Sequence, residues 1–212
     1  LLSRRLKVRI GCTAAVAFAA LTFGSASASA SLLVDSAIDC DDQALSTPFA
    51  PWLDFARYTP LSGADFESTA AGWALSGGAQ VKSGNEPFHV SGPGESSLSL
   101  PADASATSPA ICVGIEHPTM RFFAKRTNGG VLGLGTLRVD VLFDNALGHV
   151  SSLPIGVLTG SSGWQPTLPM TVVANLLPLL PGDHTPVQFR FTPMLGSAWS
   201  VDDVQVDPYS RK

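Results

Sequence analysis

The sequence predicts an all-β fold, an antiparallel β-sandwich, on three observations. About ten short apolar segments follow one another between residues 57 and 208, divided by turn chemistry. The 20 Gly and 16 Pro among 212 residues favour many turns over long helices. Beyond the first thirty residues, no window of about 11 to 18 keeps helical spacing without a Pro or Gly inside it.

Residues 1–30 read as a secretory signal peptide. Arg4, Arg5, Lys7 and Arg9 form a positive start, Ile10 to Phe23 an apolar stretch too short to span a bilayer, and Ala28-Ser29-Ala30 a cleavage site. Ser3-Arg4-Arg5 also hints at twin-arginine export. Residues 31–56, with scattered acids and no period, read as an N-terminal extension with one helical turn. The sandwich domain is 57–208 and the tail 209–212.

Within the domain, Thr136 to Phe143 is the clearest strand: Leu137, Val139, Val141 and Phe143 share one face, Arg138 and Asp140 the other. Pro186 to Thr192 alternates likewise. Ala79 to Ser83, Phe88 to Ser91, Ser96 to Leu100, Ala110 to Glu116 and Met120 to Arg126 are further strands upstream. Ser152 to Thr159, Leu168 to Ala174 and Ala198 to Asp207 follow downstream. Asn128-Gly129-Gly130, Asp144-Asn145 through Gly148, and Pro181-Gly182-Asp183 supply turns. There is no repeat of fixed period, so the expectation is one domain.

Charge narrows the partners. The full chain carries a formal charge of −4. Without residues 1–30 it has 17 acidic against nine basic residues, or −8. Such acidity disfavours nucleic acid and anionic membranes. No later segment is apolar for long enough to cross a membrane, because Asn175 and Pro178 interrupt Met170 to Leu180. A secreted, extracellular protein is expected, with no membrane partner after signal removal. Nothing in the sequence sets an oligomeric state.

Export removes Cys12 and leaves Cys40 and Cys112. One disulfide between them is the simple expectation, stapling the extension to the core. Closing a loop of about 72 residues is worth up to about 4 kcal/mol by chain entropy.

Three segments resemble jelly-roll carbohydrate-binding modules, of galactose-binding-like type. Gly63-Ala64-Asp65-Phe66-Glu67 followed by Gly72-Trp73 is similar to their opening strand, and Trp199-Ser200-Val201-Asp202-Asp203-Val204 to their closing strand. Ser97-Leu98-Ser99-Leu100 matches a short strand between. The layout also looks like that of secreted jelly-roll proteins of high-GC bacteria. The resemblance implies a jelly roll whose first and last strands lie side by side, Trp73 and Trp199 in the core, and a structural Ca²⁺ held by Glu67, Asp202 and Asp203. It implies an extracellular or cell-wall glycan as partner, with Trp164, Trp52 and Tyr58 as the aromatics left to hold it. The alternative is a structural or cell-surface interaction protein without a sugar site.

Catalytic signatures are missing. His89, His117, His149 and His184 are scattered and read as solvated loop residues. The chain has no G-x-S-x-G elbow, no H-E-x-x-H, no C-x-x-C and no phosphate loop. The compact E-x-D-x-E and Q-I-H strand motifs of jelly-roll hydrolases and lyases are also absent. A non-catalytic module is therefore expected, with a glycan-active hydrolase or lyase as the remote alternative.

Overall fold

The apolar alternation becomes two facing sheets. The computed structural model describes residues 43–114, 117–145, 147, 149–172 and 184–208. The expected signal peptide, Cys40 and the 209–212 tail lie outside them. Thirteen strands form among the described residues: β1 (Thr59–Pro60), β2 (Ala74–Ser76), β3 (Gln80–Ser83), β4 (Ser96–Leu100), β5 (Ser105–Thr107), β6 (Ile111–Gly114) and β7 (Thr119–Asn128), then β8 (Leu137–Asp144), β9 (Val150–Leu158), β10 (Gln165–Pro166), β11 (Met170–Thr171), β12 (His184–Pro193) and β13 (Ala198–Asp207). One sheet runs β10-β7-β13-β4-β3, with β1 on β13 and β11 on β7. The other runs β2-β5-β12-β8-β9, with β6 on β12. Every pairing is antiparallel, as a jelly roll requires.

The core lies where the inner faces meet. From the first sheet come Leu98, Leu100, Phe122, Trp199, Val201 and Val204, and from the second Leu137, Val139, Val141, Phe189 and Phe191, all fully buried. Phe122 and Phe191 cross edge-to-face at 5.2 Å, stitching the layers together. Trp73 and Trp199 belong to this core, each with its indole N–H donated at 3.0 Å, to the Ser62 carbonyl and the Ser197 hydroxyl.

Several elements differ from the sequence reading. Phe88 to Ser91 is a turn, because Glu86 takes the Phe88 and Val90 N–H groups onto its carboxylate and His89 is left-handed at φ 54°. Of Leu168 to Ala174, only Met170–Thr171 pairs as a strand, following Pro169, and Val173 and Ala174 lie outside the described residues. β2 and β5 escaped notice because three-residue strands carry too little alternation. The Gly63-to-Glu67 segment is a turn rather than the opening strand, with Phe66 at φ 53° and its buried ring against Trp73 at 5.1 Å. The first strand is β1, and it does lie beside the last: Thr59 pairs with Val206 and Pro60 with Gln205. The extension's one helical turn is a 3-10 turn at Ala50–Trp52.

Candidate functional site

The outer face of the β7–β13 sheet carries the chemistry. Alternation along β7 turns Phe122 inward and Arg121 and Phe123 outward. A second, smaller apolar cluster grows there from Phe123, Phe49 and Tyr58, with Trp52, Ala56, Val90 and Trp164 packed around it. Phe49 stacks on Phe123 at 5.7 Å, and Trp52 stands edge-on to Phe123 at 5.4 Å and to Phe88 at 5.1 Å. Phe88 remains 42% exposed, while Trp52 and Trp164 are half-buried. The extension thus lies on this face as a lid of aromatic rings.

An ion pair between a buried arginine and a half-buried aspartate fastens it. Arg121 donates to Asp54 at 2.7 Å and to the Thr167 carbonyl at 2.7 Å, and its guanidinium lies 4.2 Å from the Phe49 ring centre. Tyr58 donates its hydroxyl to the same Asp54 oxygen at 2.8 Å. Burial works to raise the Asp54 carboxyl, but Arg121, Tyr58 and the Ala56 N–H outweigh it and hold it below its usual value. Burial, with the Asp54 bond and charge adding to it, raises Tyr58.

Tyr58 therefore cannot serve as a sugar platform. Its ring has no exposed surface, and its hydroxyl is committed to Asp54. Trp52 keeps an open side beside Phe88. Trp164 has Lys125 Nζ over its ring at 4.7 Å.

On β13, a bulge between Asp202 and Gln205 puts two residues, Asp203 and Val204, opposite Phe122 of β7, and Asp203 adopts φ 46°. Both aspartates consequently reach Glu86, a fully buried residue of the β3–β4 loop. Asp202 accepts the Glu86 N–H at 3.1 Å and the Asp203 N–H at 3.0 Å, and Asp203 hydrogen-bonds with Ser91 and with the Glu86 side chain. Burial pushes Asp202 up to about 8, with the Asp203 charge adding to the rise. Burial also raises Asp203, with Glu86 contributing.

Glu67 is not grouped with this pair. Its two oxygens accept the Glu95 and Ser96 N–H groups at 2.8 and 3.0 Å, so it anchors the start of β4. Among the described residues, no group of three or more His, Cys, Asp or Glu is arranged to hold a metal ion. The set Glu67, Asp202 and Asp203 expected from the resemblance is thus not assembled, because each carboxylate already receives hydrogen bonds where the chain turns.

Between β9 and β10 a cleft of about 370 Å³ is lined by Gly156 to Ser161, Gln165 to Met170 and Trp199. The indole beneath it is closed off: a Cβ on Gly160 would come within 2.2 Å of the Trp199 ring, so backbone covers it. Cys112 is fully buried in β6, while Cys40 lies outside the described residues.

Glu86, Phe88, Asp54 and Arg121 were not singled out from the sequence. Arg121 carried a signal, being one charge inside Met120-Arg121-Phe122-Phe123-Ala124. Glu86 carried none, as a lone acid before Pro87 looks like any solvated loop residue.

No family model matches the chain, and no curated protein matches it. Among solved structures, it resembles the family 22 carbohydrate-binding and xylanase modules of Clostridium thermocellum endo-1,4-β-D-xylanase 10B, complexed with xylohexaose, with 16% identity and a TM-score of 0.49. The match covers 70% of this chain and 28% of that one, so it spans less than a third of the chain it matches. It also resembles TmCBM61 in complex with β-1,4-galactotriose, with 15% identity, a TM-score of 0.43 and coverage of 69% and 95%. The K3 adhesin domain of Lys-gingipain from Porphyromonas gingivalis is similar at 14% identity and TM-score 0.43, over 70% and 98%. At these identities the likeness is one of fold.

Proposed function

We propose that this is an exported, non-catalytic module that holds a glycan against the aromatic shelf of Trp52, Phe88 and Trp164. One observation carries the reading: three partly exposed rings gather on one sheet face around the buried cluster of Phe123, Phe49 and Tyr58. Rings held this way offer apolar surface to sugar C–H groups at little conformational cost. Binding is checked by retention on insoluble xylan, galactan and cellulose and by tryptophan emission. Trp52→Ala is expected to weaken retention about tenfold, a loss near 1.4 kcal/mol. No retention by the parent protein on any polysaccharide, with unchanged emission, ends the reading.

A second reading has its own support. Tyr58 is wholly internal, and Lys125 lies over Trp164. A structural or cell-surface interaction protein would use these rings only to fasten the extension, and would show that same null in the sugar assays. Export and a Cys40–Cys112 bridge are further parts of the proposal. Intact mass before and after reduction tests the bridge, and two thiols alkylated without reduction would refute it. Absence of reducing-sugar release tests the non-catalytic part.

Calcium does not fit the carboxylates as they stand. Glu86, Asp202 and Glu67 each receive two backbone N–H groups, one on each oxygen. We expect the same melting midpoint in millimolar calcium as in chelator. A calcium-dependent rise of about 5 °C or more would restore the ion to the scheme.

A further inference from the structure

The opposite sheet presents a different surface. Along β8, Leu137, Val139, Val141 and Phe143 point into the core, which turns Arg138 and Asp140 outward. On β12, Val187, Phe189 and Phe191 point in, which turns Arg190 and Thr192 outward. Register brings these residues into two rows. Thr107 of β5 pairs with Arg190, Arg190 with Asp140, and Asp140 with Pro154 of β9. In the next row Thr192 pairs with Arg138, and Arg138 with Val157.

At the centre, two guanidinium groups share one carboxylate oxygen. Arg138 Nε donates to Asp140 Oδ2 at 3.0 Å, and Arg190 lies 3.6 Å from the same atom. Asp140 is almost wholly covered by them, whereas the arginine side chains stay 38% and 33% exposed. Among the described residues, no other carboxylate pairs with either arginine. Each guanidinium has five N–H donors. Among the described residues most of them have no acceptor, the one addition being a long 3.5 Å contact from Arg190 to the Ser152 hydroxyl.

Two positive charges against one negative leave a local excess of +1, on a chain whose formal charge is −4. A fixed cationic spot on an acidic protein selects an anionic group and repels anions elsewhere. The guanidinium fork matches a carboxylate in plane and spacing. Beside that fork stand hydroxyls: Thr107 next to Arg190, Thr192 next to Arg138, and Ser152 within reach of Arg190. A carboxylate with neighbouring hydroxyl groups is the chemistry of a uronic acid.

We propose that the outer face of the β5–β12–β8–β9 sheet is a second binding site, which takes a uronate residue of an acidic polysaccharide on Arg138 and Arg190, with Asp140 holding the two guanidinium groups in place. The site lies on the opposite sheet from the aromatic shelf and shares no residue with it. The two can therefore fail separately.

The probe is polygalacturonate, compared with its fully methyl-esterified form and with dextran sulfate at matched charge density, by affinity electrophoresis in 20 and 300 mM NaCl. Binding to polygalacturonate is expected, weaker at the higher salt and lost on esterification. Arg138→Gln and Arg190→Gln should each weaken it about tenfold, the usual cost of one charge-assisted hydrogen bond. Melting of each variant confirms that it is folded. Trp52→Ala should leave polygalacturonate binding intact, even if neutral glycans prove not to bind at all. No binding at 20 mM NaCl, equal binding of the esterified polymer, dextran sulfate binding as tightly as polygalacturonate, or an unaffected folded double variant would each overturn the site.

Discussion

The two outer faces of the sandwich solve the same problem in opposite ways. On the β7–β13 sheet the central charges are covered: Arg121 is buried against the Phe49 ring with Asp54 half-buried beside it, and Asp202 and Asp203 are buried against the β3–β4 loop. On the β8–β12 sheet, only Asp140 is covered, and its two arginines reach solvent. Sealed charges must be paired or neutralised, so they act as fasteners that are costly to disturb. Exposed charges contribute little to stability and stay available to a ligand. The contrast makes the charges of one face fasteners beneath its aromatic shelf and leaves those of the other open to a ligand.

The largest effect expected comes from the sealed side. Asp54→Ala strands the Arg121 guanidinium in an apolar pocket and should destabilise the fold by roughly 3–5 kcal/mol. That is about a 10 °C drop in melting midpoint for a domain of this size. Thermal denaturation measures it, and tryptophan emission should shift to the red as the extension lifts from Phe123. A loss below about 1 kcal/mol would show that the pair is solvated, and the contrast between faces would collapse.

The next effect is a pH dependence set by Asp202 and Asp203. Both carboxyls titrate above the ordinary value of 3.8, so the folded state binds more protons than the unfolded state wherever pH lies between. Their contribution therefore favours folding below about pH 4 and is progressively lost as pH rises through about 8, the value to which Asp202 is pushed. Asp54 acts in the other sense: its lowered carboxyl stabilises the fold above the usual carboxylate range, and that contribution is lost in acid. Melting midpoints should peak in mildly acidic buffer and fall by pH 8. Asp202→Asn should flatten the alkaline limb, and an unchanged limb would place these carboxyls in water.

The smallest effect sharpens the comparison from the open side. Arg138→Gln should shift stability by no more than about 0.5 kcal/mol, because a partly exposed pair gives back to solvent most of what it gains. The same melting experiment reads it. A loss near that of Asp54→Ala would mean that the β8–β12 face is a fastener too.

Much of the sandwich was legible because its long strands alternate without interruption. Leu137 to Phe143 and Val187 to Phe191 can bury one face in only one register, so sequence order alone sets which side is core. The site was less legible. Trp52, in the extension, and Tyr58, at the start of the domain, look alike as aromatics in the sequence, and what separates them is Asp54 and Arg121, 67 residues apart in the chain. Glu67 was the natural partner for Asp202 by resemblance, yet the loop after β3 brings Glu86 there instead. Long-range pairings of single residues leave no periodicity to read.

The bulge at Asp203 resets the phase of β13. Trp199 and Val201 point inward before it and Val204 and Val206 after it, an odd interval spanned by two consecutive outward aspartates. Straightening the bulge with both residues kept would restore a plain alternation and rotate Val204 and Val206 out of the core, while Gln205 and Asp207 turned in. Substitutions at these two positions alter a charge; a one-residue deletion would remove the bulge and leave Val204 and Val206 facing the core. The Asp-Asp doublet is thus the place where the closing strand takes up one residue more than its alternation needs, and its chemistry, turned toward Glu86, is constrained more tightly than its length.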